Sequence, residues 1–385
     1  MTQASAPNSM PLLPVAEPDL SDLERAYARE AVDSGWISSL GPFIERFEQA
    51  FAELTGAEHC VAVSNGTVAI HLALVAARVG PGDEVIVPDL TFAATAAAVH
   101  HAGATPVLVD VDRATWCLDP ALVEAAITPR TKAIMPVHLF GHPAAMDQIN
   151  ALAKKHGIFV LEDAAEAHGA RFAGQVVGSI GDAGCFSFYG NKLITTGEGG
   201  AVTTNDGALA KRLRFLKDHA MSADRRYFHP EVGFNYRMTN IQAAIGTAQI
   251  ERFPAMLAKK QAVLATYREQ FRALGTDVVL NPAVAPSEPV CWMVTALLPG
   301  AWDGERMREF MGRMRSNHGV DTRPFFVPMH ELPPYAPSRL VRGATSVASD
   351  LAARGICLPS STKLSAADIA RVTEGVAAEL KGSAA

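Results

Sequence analysis

The stretch HCVAVSNGTVAIHLALVAARVGPGDEVIVP, residues 59–88, decides the fold. HCVAV is a short apolar run closed by Ser64-Asn65-Gly66, TVAIHLALVAARV has helical length, and EVIVP is a second short run behind Gly-Pro-Gly-Asp. The alternation continues outward. FAATAAAVHHA precedes PVLVD, PALVEAAI precedes KAIMPVH, and AMDQINALAKKHG precedes IFVLED, which ends at Asp163. Apolar runs bounded by Gly, Pro and Asp, with helices between them, predict parallel strands buried on both faces of an α/β sheet. Sites in such sheets lie beyond the carboxyl ends of the strands, which places Asn65, Asp89 and Asp163 on one rim. A long helical region is predicted over 239–274. Beyond it, strand-like CWMVTALL and GVDTRPF and helices near 303–316 and 365–381 predict a smaller α+β domain. The expected division is an N-terminal tail 1–20, a large domain 21–260 and a small domain 261–385.

The 385 residues suit two domains, and with 49 % hydrophobic and 19 % charged residues a large core is available. The net charge of −6, with basic residues scattered, supplies no field for nucleic acid or anionic membrane. An anionic ligand would therefore be held by local groups. Cys60, Cys117, Cys185, Cys291 and Cys357 are far apart and sit mostly in apolar runs, a pattern of reduced core thiols rather than disulfides or a metal site. No basic start with a long apolar core opens the chain, and no apolar run reaches about 18 residues, so neither a signal peptide nor a membrane span is expected. A cytoplasmic protein is the expectation.

Four segments carry chemistry. CFSFYGNKLITTGEGGAVTTND, residues 185–206, sets Lys192 in a glycine-rich loop. A lysine in low dielectric loses its proton more readily and becomes a nucleophile for a carbonyl, and glycines let backbone approach a flat ring or a phosphate; the same loop also reads as a surface turn. VLEDAAEAHGA, residues 160–170, ends an apolar strand on Asp163. A carboxylate there needs a partner, and a protonated pyridine nitrogen is one; the alternative is that Glu162 and Asp163 cap a helix. Glu166 and His168 could approach the same ring or face solvent. VSNGTVAIHLAL runs from a strand into a helix start, where free N–H groups and the Thr67 hydroxyl would cradle phosphate or merely form a cap. In PDLTFAATAAAV, Phe92 could stack on a ring or fill the core. Ser187 could add a hydroxyl to the phosphate. Cradle, aromatic plate, acid and lysine follow one another on successive strand ends.

With these residues quoted, the chain resembles the DegT/DnrJ/EryC1/StrS family of sugar aminotransferases, which have the fold type I architecture of pyridoxal 5′-phosphate (PLP) enzymes. SGWISSLGPFIERFE, TKAIMPVHLFG, VGFNYRMTNIQAAIG and RPFFVPMHELPPYA extend the resemblance over about residues 34–377. It implies a large domain with a mostly parallel sheet and a smaller C-terminal domain. The cofactor-bearing lysine would be Lys192 and the pyridine acid Asp163. Phe92 would stack on the ring, with Gly66, Thr67 and Ser187 at the phosphate and Glu166 nearby. Asn235 would reach the phosphate from a second copy, in a homodimer with shared sites or a tetramer of such dimers. Trp36, Ser38, Arg237 and His330 lie where relatives hold the sugar nucleotide; a surface ion pair is the other reading of Arg237. L-Glutamate and a nucleotide-linked keto-sugar are the implied substrates, with no metal. Related dehydratases carry histidine where this chain has Lys192, and a regulatory protein on this scaffold would be expected to lack the lysine or the acid. The chain departs from its relatives at Val327, where a histidine is common, at Phe92, which is tyrosine in several, and at LPSSTKL, residues 358–364.

Overall fold

The computed structural model describes residues 11–382. Eight strands form the central sheet, in the order β1 (His59–Val63), β9 (Gly200–Thr204), β8 (Ala183–Ser187), β5 (Phe159–Asp163), β4 (Thr131–Ile134), β2 (Glu84–Pro88), β3 (Thr105–Val109) and β14 (Leu340–Val341). All neighbours are parallel except β9, which runs antiparallel to both β1 and β8. The expected mostly parallel sheet is present, and the strands read from HCVAV, EVIVP, PVLVD, KAIMPVH and IFVLED all join it. β14 comes from the C-terminal part of the chain and extends the β3 edge.

Helices cover the sheet: α1 (Asp22–Asp33), α2 (Pro42–Thr55), α3 (Gly66–Ala76), α4 (Ala94–His101), α5 (Pro120–Ala126), α6 (Met146–His156) and α7 (Gly207–Lys217). Local sequence sets their ends. Ser21 and Glu24 close a capping box on α1, and Pro42 starts α2, which Gly56 ends in the left-handed region. α3 is buried at every residue from Ala69 to Leu74, so it reads as apolar all round rather than striped. β6 (Arg171–Phe172), β7 (Gln175–Val176) and β11 (Ser287–Glu288) form a small antiparallel sheet.

The remainder is built on a four-stranded antiparallel sheet ordered β10 (Val279–Leu280), β12 (Val294–Leu297), β15 (Gly355–Leu358), β13 (Arg323–Pro324). With it go α8 (Asn240–Ala273), α9 (Gly304–His318), α10 (Val347–Arg354) and α11 (Ala366–Gly382). Tyr267, Phe271, Phe310, Met314, Ile356 and Val372 close a separate core there. α8 runs unbroken across the expected boundary at 260/261, because Thr239 and Gln242 cap its start and its 34 residues keep burying apolar side chains on both parts. The boundary is therefore a point inside one helix rather than a linker.

The expected tail needs a similar correction. Residues 1–10 lie outside the described part, but 11–20 are docked. Leu13 exchanges backbone hydrogen bonds with Gly319 and Asp321 at 2.8 and 2.9 Å, and the Ser360 N–H donates to the Val15 carbonyl at 2.8 Å. Val15 is fully buried, and Asp19 pairs with Arg252 at 2.8 Å. A five-residue apolar patch amid prolines carries no periodicity, so only its partners reveal it. Val15→Ala is expected to lower stability by about 2 kcal/mol through lost burial and an unfilled void, read as a lower urea midpoint with unchanged slope.

Candidate active site

A cavity of about 760 Å³ opens beyond the carboxyl ends of the parallel strands. It is lined by Gly66, Thr67, Phe92, Asp163, Glu166, Ser187 and Lys192 among others, so seven of the expected residues converge although 126 positions separate the first from the last (192 − 66).

Strand alternation at the end of β5 separates two acids. Glu162 turns to one side, where the N–H groups of Gly178, Ile180 and Gly181 donate to it at 2.7–2.8 Å and His138 Nε2 lies 3.0 Å away. It is a saturated structural carboxylate. Asp163 lines the cavity and, among the described residues, its side chain accepts only from Thr95 Oγ1 at 2.8 Å and the Ala165 N–H at 3.2 Å. Burial pushes its carboxyl pKa up, opposed by Thr95, the Ala165 N–H and Lys192. Such a group still has lone pairs for a cationic donor.

One end of the cavity is built from α3. Asn65 caps the helix by accepting from the Val68 N–H at 3.0 Å, and Gly66 and Thr67, whose first-turn N–H groups have no intrahelical acceptor, line the cavity. A Cβ on Gly66 would stand 2.7 Å from Ser187 Cβ, so glycine is what lets the helix start and Ser187 share one cradle. Phe92 remains 58 % exposed with its ring 5.6 Å from that of Phe326, an open face rather than a core residue.

Lys192 Nζ lies 3.8 Å from Glu166 Oε1 and 3.8 Å from the Trp292 ring centroid. Burial lowers its ammonium pKa, against the opposing charges of Glu166 and Asp163. Burial likewise pushes Glu166 up to about 7, opposed by Lys192 and by the Phe140 N–H that donates to it at 2.8 Å. His168 neither faces solvent nor lines the cavity, the two positions open to it from sequence: it is buried among Phe51, Phe186 and Phe188, and burial pushes its pKa down to about 3.

Five expected residues do not line this chain's own cavity. Asn235 accepts from Arg237 Nε at 3.0 Å, and Arg237 pairs with Asp218 at 2.9 Å. Trp36 and Ser38 sit in the loop between α1 and α2, where their carbonyls accept from the Asn240 side chain and N–H. His330 Nδ1 lies 2.6 Å from Asp89 Oδ2 behind the rim. Conversely, Thr95 and Trp292 are cavity residues that sequence reasoning missed. Thr91, just before α4, and Thr95, in its first turn, bond each other at 2.9 Å, and this pair of threonines four positions apart could have flagged the relay to Asp163. Trp292 lies 100 positions after Lys192 with no local signal. No cluster of three metal-ligating side chains occurs among the described residues, and no helix there is long and apolar enough to cross a membrane.

The profile of the DegT/DnrJ/EryC1/StrS aminotransferase family matches residues 18–377. The chain belongs to that family. Its members are PLP-dependent aminotransferases, and a helix-start anion cradle, an exposed aromatic face, an under-satisfied buried acid and a deprotonation-prone lysine are the donor set such a cofactor needs. Among relatives, the GDP-perosamine synthase of Caulobacter vibrioides is 49 % identical over 95 % of this chain and 97 % of its own. That of Escherichia coli O157:H7 is 42 % identical over 95 % and 98 %. Among solved structures, S. venezuelae DesV superposes with a TM-score of 0.87 at 37 % identity, covering 97 % of this chain and 99 % of its own.

Glu166→Gln tests the electrostatics of this family member without substrate. Between the free value of 4.5 and about 7, folded Glu166 keeps a proton that the unfolded chain releases, so its contribution to stability is lost as pH rises through that window. The thermal midpoint of Glu166→Gln minus that of the parent should climb from pH 4.5 to 7 and then level off.

Proposed function

We propose that this chain transfers the amino group of L-glutamate to C-4 of GDP-4-keto-6-deoxymannose, yielding GDP-perosamine and 2-oxoglutarate. The observation that carries the reading is the 49 % identity, spread over nearly the whole chain, to a GDP-perosamine synthase. The cavity chemistry supports it. PLP, when bound, supplies an electron sink for negative charge developing at the carbon beside nitrogen. Lys192 would bear it, Asp163 would keep its ring nitrogen protonated, and Phe92 would lie against its ring. Gly66, Thr67 and Ser187 would hold its phosphate, with Glu166 beside Lys192. Lys192 Nζ then acts as base toward the donor's Cα proton and as acid toward the acceptor carbon, a double role favoured by a lowered ammonium pKa. The part we assign to residues 21–260 would carry these contacts, and the part at 261–385 would close over them with Trp292, Arg323 and Phe326.

We read the working unit as a homodimer in which Asn235 of a second copy completes the phosphate site and Trp36, Ser38, Arg237 and His330 border the sugar nucleotide. Exposed Trp36, Ile37, Leu40, Tyr227, Phe228 and Val232 offer apolar surface for such pairing. A second acceptor reading, a dTDP- or UDP-linked keto-sugar aminated at C-3 or C-4, is favoured by one observation: half-exposed Val327 replaces the histidine common in relatives, next to cavity-lining Phe326.

The test is turnover of L-glutamate with GDP-, dTDP- and UDP-linked 4-keto-6-deoxy sugars, with products read by mass spectrometry. GDP-perosamine should form with the highest kcat/KM. A tenfold preference for another nucleotide overturns the acceptor and leaves the transamination standing. Lys192→Ala should lose roughly a thousandfold or more of turnover and release its PLP on gel filtration; an active Ala variant overturns the lysine assignment.

A further inference from the structure

Trp292 enters the cavity from the small sheet's side and makes three connections that the proposed chemistry does not use. Its ring centroid lies 3.8 Å from Lys192 Nζ, its indole Nε1–H donates to the Asn191 carbonyl at 2.9 Å, and its ring stacks on Phe140 at 6.1 Å. The carbonyl of Trp292 is in turn held by buried Lys260, whose Nζ donates to it at 2.7 Å and to the Ser360 carbonyl at 2.5 Å. Both ends of the residue are thus pinned, one to the loop carrying Lys192 and the other to α8 and the LPSSTKL segment. The nearest carboxylate oxygen, Glu166 Oε1, is 3.8 Å from Lys192 Nζ, beyond hydrogen-bond reach. A desolvated ammonium over an indole face is attracted by the ring's quadrupole.

We propose that Trp292 is a positioning residue for Lys192: its indole face holds the lysine's ammonium whenever the lysine is not bonded to the cofactor, and its N–H fixes the loop on which the lysine rides. This rests on the reading of Lys192 as the cofactor-bearing lysine. The consequence is kinetic. A freed lysine that swings away must be brought back before it can move a proton, whereas one held on the indole stays within the cavity, ready for the next transfer. The indole also favours the charged form, against the burial that disfavours it. Other groups acting on this amine are Asp163 at the end of β5 and Glu166 and His168 from the turn after it, with Glu198, Arg323 and Cys357 also lining the cavity.

Fluorinated tryptophans weaken the ring quadrupole while nearly preserving shape, packing and the N–H, so they separate this role from a structural one. The enzyme is prepared with tryptophan, 5-fluorotryptophan or tetrafluorotryptophan and loaded with pyridoxamine phosphate, which leaves Lys192 free. Its titration is read by trace labelling with an amine-reactive anhydride and mass spectrometry of the Lys192 peptide. The labelling midpoint should fall stepwise with fluorine content, by about 1 pH unit in all. In a Trp292→Phe background, where Trp36, Trp116 and Trp302 still take up the analogue, fluorination should leave the midpoint unmoved. A midpoint indifferent to fluorine in the parent, or equally sensitive in Trp292→Phe, overturns the proposal. Borohydride reduction of the PLP-loaded protein distinguishes failure of the underlying reading: the pyridoxyl mass would then sit on a peptide other than that of Lys192.

Discussion

Everything around the cavity depends on the cost of keeping a carboxylate and an ammonium out of water at the end of β5. Two adjacent acids there are treated in opposite ways. Glu162 receives three backbone N–H groups and faces His138, so its charge is spent on holding the 178–181 loop beside the sheet. Asp163 receives two donors and lines an open cavity. Lys192, a few ångströms from Glu166 and without a close oxygen partner there, is the matching cation. An apolar shell makes these charges costly, and the same shell makes them responsive to any group that enters.

That shell is assembled from distant parts of the chain. Phe92, Phe140, Trp292, Pro324 and Phe326 line one cavity over the strand ends, although together they come from four separate segments. The small sheet is held in register with the large one by α8, by β14 on the far edge, and by the N-terminal segment through Val15 and Leu13. Buried Lys260 illustrates the principle. Its charge faces only carbonyl oxygens, an arrangement stable only if those carbonyls are rigidly placed, so it couples Trp292 to Ser360. The LPSSTKL segment, which matched no sugar-site pattern, is thereby explained as part of the support beneath the cavity rather than as its wall.

The two ends of the cavity also differ in how they are made. The inner end, around Gly66, Asp163 and Ser187, rests on strand termini and a helix start, elements whose geometry tolerates little variation. The outer rim, with Arg323, Phe326 and exposed Val327, rests on short two- and three-residue elements.

Local sequence carried much of this. Apolar runs closed by Gly, Pro and Asp were enough to place β1, β2, β3, β4 and β5, because burial on both faces leaves a contiguous signature within five residues, whereas β8, β9 and β14 were not read. The same rule put Asp163 at a strand end and Gly66–Thr67 at a helix start. What the sequence by itself determined, then, is five strands of the sheet, the helices between them and the rim on which seven cavity residues meet, since each follows from short-range patterning. Only the tertiary structure decided which acid faces the cavity side by side with Lys192, that His168 is buried among phenylalanines, that residues 11–20 are docked, and that Trp292 covers the lysine. Those outcomes depend on contacts between segments far apart in the chain, and desolvation, which sets the chemistry of Asp163, Glu166 and Lys192, exists only once those segments have closed over them.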